Sequence, residues 1–278
     1  MKKILKKSNV LLTMICMVTL VSCYKDYDPK SYQPVFTVGG YSSSNEIAAG
    51  HLVGYWGFNG NYLDSISNTE ATGVNTSFST GFLGKALQGA SGAYAISNLP
   101  SAIKNMNSFT IDFWINTPQN SNGILTPICI SNENDFWGSL DMFYENGSTA
   151  SSATFKAHIK GQSEVWFTNS TLSNPWNAWQ NIALTYDAGS STFTMYQGGT
   201  AVANNTAAGL GNLIFPASAN QIIFGTEQFQ CSPSLGTAGS SQGWADYLRG
   251  QLDEVRIYDV ALSASDLQAL IILQGKGK

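Results

Sequence analysis

The chain is short of charge. Only 12% of its 278 residues are Asp, Glu, Lys or Arg, against 43% hydrophobic and 12% aromatic, a balance that excludes disorder, a coiled coil or a polyelectrolyte tail. Histidine is scarcer still. His51 and His158 are the only two, too few for a multi-histidine metal site or a Ser-His-Asp centre to draw on. Basic residues are depleted where they would matter for nucleic acid: four of the 14 lie before residue 23, which leaves ten against 18 acids and a net charge of −8, the wrong sign for gripping a phosphate backbone. After residue 22 no apolar run approaches bilayer length, no Gly-rich phosphate loop appears and no internal repeat is found.

What is present begins with an address. Lys2 to Lys7 form a basic region and Val10 to Leu20 an apolar stretch broken only by Thr13 and Thr19, which reads as a signal peptide over residues 1–22. It closes on Leu20-Val21-Ser22-Cys23, which resembles the lipobox of bacterial lipoproteins. That resemblance implies acylation of Cys23 and an anchor in the outer membrane, probed further by the acidic Tyr24 to Asp28 stretch, which is similar to tethers of surface-exposed lipoproteins. Residues 23–49, with Pro29, Pro34, Gly39, Gly40 and Ser42 to Ser44, read as an acylated cysteine and flexible spacer. The globular domain is expected over 50–278.

Within that domain the recurring signal has period two. Phe109, Ile111, Phe113 and Ile115 alternate with Thr110, Asp112, Trp114 and Asn116, the pattern of a strand. Similar runs appear at 52–58, 153–159, 180–186, 192–197, 221–224 and 251–258, separated by Gly, Asn and Ser clusters. Many short strands with almost no helix predict an all-β antiparallel jelly-roll sandwich. A short C-terminal helix is the exception, predicted after Leu262, where Ser263 and Asp266 form a capping box.

In this order the segments resemble the LamG-like jelly roll of the concanavalin A-like lectin and glucanase superfamily. Gly54 to Asn59 with Asp64, Phe82 to Leu87, Ser108 to Ile115, Trp179 to Asp187 leading into Thr194 to Gly199, and Gly250 to Tyr258 followed by Ala261 to Ser263 carry the likeness. The fold it implies hosts lectins, adhesion modules, glycosidases and accessory domains alike, so function rests on site residues. The resemblance also implies a structural Ca²⁺ where the opening loop meets the last strand, with Asn59, Asp64 and Asp253 as oxygen ligands. Equally open is the reading in which Asp253 accepts backbone N–H bonds and Asp64 caps a turn. Cys129 and Cys231, the two cysteines left after processing, either bridge or stay as thiols.

Glycanase chemistry on this fold uses a Glu-x-Asp-x-(x)-Glu strand. Glu133-Asn134-Asp135 is the nearest match and fails, because Phe136, Trp137 and Gly138 follow; the domain is expected to be non-catalytic. His158, between Lys156 and Lys160, is expected on a solvated strand face, and Asp141 in a solvated acidic run. Trp137, Trp176 and Trp244, with Tyr247, lie in polar, turn-like segments where the core does not obviously need a ring. Aromatic planes stack on the C–H faces of sugars while Asn, Gln, Asp and Glu reach the hydroxyls, so these four are the candidate ligand-binding residues for a glycan or polysaccharide. The other reading of each is a plug at the end of the sandwich, and Trp166 faces either side. The functional expectation is a surface-anchored, carbohydrate-binding lipoprotein; a protein-binding adhesion module, or a glycoside hydrolase with an unrecognised carboxylate pair, is the alternative.

Overall fold

A computed structural model describes residues 34–278; the expected signal peptide, the Cys23 lipidation site and residues 24–33 lie outside the described residues. Thr37–Lys278 form one compact unit. In chain order its strands are β1 (Leu52–Trp56), β2 (Thr72–Val74), β3 (Ser77–Thr80), β4 (Lys85–Gln88), β5 (Tyr94–Asn98), β6 (Phe109–Asn116), β7 (Ile124–Ile130), β8 (Leu140–Tyr144), β9 (Ser152–Lys160), β10 (Glu164–Ser173), β11 (Gln180–Asp187), β12 (Thr192–Gln197), β13 (Thr200–Thr206), β14 (Gln221–Phe224), β15 (Ala245–Asp246) and β16 (Gln251–Tyr258). Among the described residues the α-helices are α1 (Ser101–Lys104) and α2 (Ala264–Gln274).

The strands form two sheets, as a jelly roll requires. One runs β13-β12-β11-β6-β16-β4-β3 with β1 also on β16, the other β10-β9-β8-β7-β14-β5-β2 with β15 on β7. All pairs are antiparallel except β15 with β7. Their inner faces supply the core, where Phe109, Ile111, Phe113 and Ile115 of β6 meet Leu140, Met142 and Tyr144 of β8 and Phe155, Ala157 and Ile159 of β9. Alternation along each strand delivers those residues inward. The outer face of β6 is buried as well, because α2 lies over that sheet: Leu267, Leu270 and Leu273 pack with Ala183, Tyr196 and Tyr258. Trp114 Nε1 donates to Gln274 Oε1 at 2.9 Å. Ser263 caps α2 by accepting from the Asp266 N–H at 3.1 Å, the capping expected from the sequence.

The domain boundary needs correcting. Residues 37–49, expected to belong to a flexible spacer, are part of the compact unit. Ile47 is buried against α2, the Ser44 N–H donates to Lys278 O at 3.1 Å, and Tyr41 OH donates to Asp266 at 3.1 Å. Single long-range contacts hold this segment, and they leave no periodicity to read.

Candidate functional site

The outer face of the second sheet carries a row of side chains in register. Ile96 of β5 faces Ile223 of β14, which faces Cys129 of β7. Cys129 faces Asp141 of β8, then His158 of β9, then Trp166 of β10. Each is the outward residue of a strand whose neighbours point to the core, so a single alternation fixes the whole row. At the Ile96 end it is covered by chain; at the Trp166 end it opens.

The covering comes from two loops, 131–139 and 225–250, fastened together by one buried side chain. Gln228 Nε2 donates to the carbonyls of Asn132, Asp135 and Phe136 at 3.2, 3.0 and 2.9 Å, while its Oε1 accepts from the Asn132 N–H at 2.6 Å. Through this staple Trp137 and Trp244, far apart in sequence, come to 5.7 Å between ring centroids. Trp137 is half-buried and stacks on Phe143 of β8 at 5.7 Å and 13°. It also meets Phe229 edge-on at 5.6 Å and Trp166 at 5.3 Å and 86°. Phe136 packs against both Phe229 and Trp244, which also touch each other, and Trp166 lies against His158 at 4.3 Å. The outcome is an aromatic platform whose two outermost rings, Trp166 and Trp244, are 38% and 41% exposed. Large apolar rings held at that exposure on a rigid base are the kind of surface that marks a binding site.

Beneath the platform lies a chain of ionisable groups in which Cys129, Asp141, His158 and Glu227 are closed from solvent and Glu164 is exposed at the outer end. Thr126 Oγ1 donates to Glu227 Oε1 at 2.7 Å, and Cys129, Asp141 and Glu227 bring their polar atoms within 4.8 Å of one another. His158 Nδ1 lies 2.8 Å from Asp141 Oδ2 and its Nε2 3.0 Å from Glu164 Oε1. Burial, reinforced by the Asp141 charge, pushes Glu227 well above the ordinary carboxylate range. Burial likewise raises Asp141, to about 6, and the Cys129 thiol, and it lowers His158 against the pull of Glu164. A neutral imidazole donates from one nitrogen only, so the tautomer of His158 decides which of the two carboxyl groups receives its N–H. The approach of Asp141 to the 131–139 loop needs glycine: the Gly138 N–H donates to Asp141 Oδ1 at 3.1 Å, and a Cβ there would sit 2.4 Å from that oxygen.

The rim is charged but paired. Lys156 is bonded to Glu145, and Lys160 Nζ lies 2.5 Å from Asp135 Oδ2 and 3.9 Å from Glu164 Oε2. Although partial burial works against it, Asp135 is held below its ordinary pKa by Lys160 and the Phe136 N–H.

Of the expected ligand-binding residues, the structure brings Trp137 and Trp244 together and places Trp176 and Tyr247 elsewhere. Trp176 is a core residue, packed on Tyr144 at 4.9 Å with its Nε1 donating to Thr149 O at 2.8 Å. Tyr247 lies beside Cys231 and Leu235 with its OH donating to Gln230 O at 2.7 Å. Both are corrected from ligand contacts to structural plugs. Two other expectations also change. His158 does sit on the outward face of its strand, yet Trp166 and the loops bury it completely. Cys129 and Cys231 are both free and buried, so the bridge is not formed; the Cys231 thiol points toward Glu227 O at 3.8 Å instead. The half-open reading of Trp166 resolves outward, and Phe143, which sequence reasoning missed, was legible only as the alternate of a core strand.

The expected Ca²⁺ ligands do not fit a cation. Asp64 Oδ1 accepts from the Tyr55 and Ile66 N–H groups at 2.8 and 3.0 Å, and its Oδ2 from Ser67 N–H and hydroxyl. Asp253 Oδ2 accepts from the Leu83 N–H at 2.9 Å and Oδ1 from the Glu254 N–H at 2.8 Å; Asn59 Oδ1 accepts from the Lys85 N–H at 2.8 Å. The positive ends of N–H dipoles occupy the directions a cation needs. Chelator is therefore expected to leave the melting curve unchanged, whereas Asp64→Ala, which strands several donors, is expected to lower stability by about 2–3 kcal/mol. A chelator-sensitive melting temperature in the parent, followed by calorimetry, would restore the metal.

A cavity of 670 Å³ opens where β6 begins and β11 and β16 end, lined among others by Met106, Asn107, Asp187 and Asp259. It has no aromatic ring, Asp187 is spent on the Gly189 and Ser190 N–H groups, and Asp259 is paired with His51. The chemistry points to the platform instead.

The family profile described as the concanavalin A-like lectin/glucanases superfamily matches residues 88–268, more than half of the chain. No curated protein matches. Similar solved structures include the binding domain of a paraclostridial mosquitocidal protein, 18% identical with a TM-score of 0.57 over 80% of this chain and 52% of that one. Domain 4 of AbnA, a GH43 extracellular arabinanase from Geobacillus stearothermophilus solved with arabinotriose, is 17% identical with a TM-score of 0.55 over 79% and 98%. A Trypanosoma rangeli sialidase is 16% identical with a TM-score of 0.54 over 82% and 33%. The chain thus spans about half the length of the first, a third of the sialidase and nearly all of the arabinanase domain. At these identities the likeness is one of fold.

Proposed function

Since the chain belongs to the concanavalin A-like lectin/glucanases superfamily, we propose that it is a carbohydrate-binding module, lipid-anchored at Cys23 in the outer membrane and presenting the Trp137–Trp166–Trp244 platform to a glycan. The observation that carries this reading is the pair of exposed rings, Trp166 and Trp244, held on a floor of Trp137, Phe143 and His158. A core has no use for indoles that stay two-fifths exposed, and a preorganised aromatic surface binds without first ordering its side chains. Sugar C–H faces stack on such rings, and the carboxylates and ammonium groups of Asp135, Glu145, Glu164, Lys156 and Lys160 stand within reach of hydroxyls on the same face. The arabinotriose held by the arabinanase domain and the N-acetylneuraminic acid bound by a botulinum neurotoxin domain of the same fold support a saccharide as the ligand class. Asp135 is ion-paired with Lys160 and held below its ordinary pKa, which does not suit it to act as a general acid, and Glu133 accepts from Asn220 at 3.0 Å.

A glycan array identifies a ligand, and the single variants Trp166→Ala and Trp244→Ala then test the face. By analogy with aromatic stacking on other rings, each is expected to lose about 1–3 kcal/mol, roughly 5- to 150-fold in affinity. An array that is blank for the parent contradicts the reading. The anchor has its own test: Cys23→Ser is expected to move the protein from the membrane to the soluble fraction, and unchanged membrane fractionation contradicts it.

A further inference from the structure

Resting on the reading of the platform as the glycan site, we propose that its ligands are neutral saccharides and that acidic ones are excluded. Recognition of a uronate or sialate carboxylate uses a guanidinium, an ammonium or a cluster of N–H groups free to pair with it. The cations on this face are already committed. Lys156 and Lys160 are the outward residues on either side of His158 in β9, and Lys156 stands opposite Phe143 in the ladder. Lys156 is bonded to Glu145, and Lys160 is shared by Asp135 and Glu164. The nearest arginine of the covering loop, Arg249, is held by Asp246 at 3.1 and 3.2 Å. Three carboxylates thus stand against two ammonium groups around Trp166, and His158 adds no charge because burial lowers its pKa.

Glu164 completes the argument. It is 44% exposed at its side chain, it stands two residues before Trp166 on the same face, and its nearest partner is the His158 ring at 3.0 Å, with Lys160 farther off at 3.9 Å and held more closely by Asp135. A sugar carboxylate stacked on Trp166 would meet a charge that the shared Lys160 compensates only in part, at a separation where like charges repel and screening by salt is incomplete. Neutral hydroxyls meet no such penalty: vicinal hydroxyl pairs donate to Asp135 and Glu164 and accept from Lys160 without breaking the ion pairs.

The test is calorimetry of the full mature domain against neutral polysaccharides (arabinan, glucan, mannan) and acidic ones (polygalacturonate, hyaluronate, sialylated oligosaccharides), in 20 and 300 mM NaCl as round working values. The expected result is binding to at least one neutral glycan that changes less than about twofold between the two salts, with acidic glycans at least tenfold weaker, and loss of the neutral binding in Trp166→Ala. Asp135→Asn, which frees Lys160 of its nearest carboxylate, is expected to raise affinity for acidic glycans several-fold, and no gain counts against the charge argument. An acidic glycan bound most tightly, and lost in Trp166→Ala, overturns this inference while leaving the platform as the site. Binding of any glycan that survives both Trp166→Ala and Trp244→Ala overturns the platform and the inference with it.

Discussion

The melting temperature is expected to fall by roughly 5–10 °C between pH 5 and pH 8, the opposite of acid denaturation. Four carboxyl groups in the interior account for the direction. Burial raises Asp112 to about 7, Asp253 to about 7, although the Leu83 and Glu254 N–H groups pull against it, and Asp141 to about 6; burial and the Asp141 charge raise Glu227 as well. A carboxyl group whose folded pKa exceeds its unfolded value contributes stability that is complete below about 4 and is lost as pH climbs through the folded value. From pH 5 to 8 these groups either ionise in the interior or resist doing so at the expense of the folded state, a loss on the order of 3–5 kcal/mol after discounting for mutual coupling. His158 works the other way: its pKa is lowered, so it weakens the fold as pH drops below about 6.5. Glu227 and Asp141 fasten the loop that carries Trp244 to the sheet that carries Trp166, which ties the pH effect to the platform. Scanning calorimetry across this range checks it, with Asp141→Asn and Asp253→Asn flattening the slope. A melting temperature that rises from pH 5 to 8 would refute the assignment.

Arg256→Ala is expected to lose about 3–5 kcal/mol of stability. The guanidinium is 2% exposed at its side chain and sits 3.2 Å from Glu254 Oε2. It lies 4.3 Å above the Tyr55 ring and donates to Asn45 Oδ1 at 3.1 Å. Glu254 also accepts from Tyr55 OH at 2.6 Å and Gln274 Nε2 at 3.1 Å, so β1, β16, the 44–46 turn and α2 converge on one ion pair, the turn through Arg256 and the others through Glu254. Glu254 holds a left-handed backbone, φ 51°, at the bulge where β16 slips register against β6, a conformation kept only because its surroundings over-determine it. Deleting the arginine leaves that carboxylate buried without its cation. Arg249→Ala, which removes an arginine exposed by 44%, is the control and is expected to change stability by less than about 1 kcal/mol. Chemical denaturation of both variants decides the matter; equal, small losses would show that the Arg256 network is not structural.

Where one rule dominates, the sequence is legible. Period-two alternation announced β6, β9, β11, β12, β14 and β16, because one face of each meets the core, and Ser263 with Asp266 announced the start of α2. β7 escaped, since Ile124–Ile130 is buried on both faces and shows no alternation. The outward positions of Asp141 and His158 follow from their strands, but their burial does not, because it depends on loops that return from a hundred residues away. The same reason explains the site: Trp137 and Trp244 are conspicuous in polar segments, yet only the Gln228 staple shows that they meet, and nothing local separates them from Trp176, which a long-range contact with Tyr144 draws into the core. Asp64 and Asp253 carry residue types suited equally to a cation or to N–H donors, and the backbone geometry around them selects the donors.

The most direct test of the account is a calorimetric titration of the array-selected glycan against the parent and a Trp166→Ala, Trp244→Ala double variant, each first shown to melt normally. Both rings project from the surface, so the fold is expected to persist with a melting temperature within a few degrees of the parent while binding falls below detection, a loss of at least about 100-fold. A folded double variant that binds the glycan with the parent's affinity would contradict the claim that this aromatic face is the binding site.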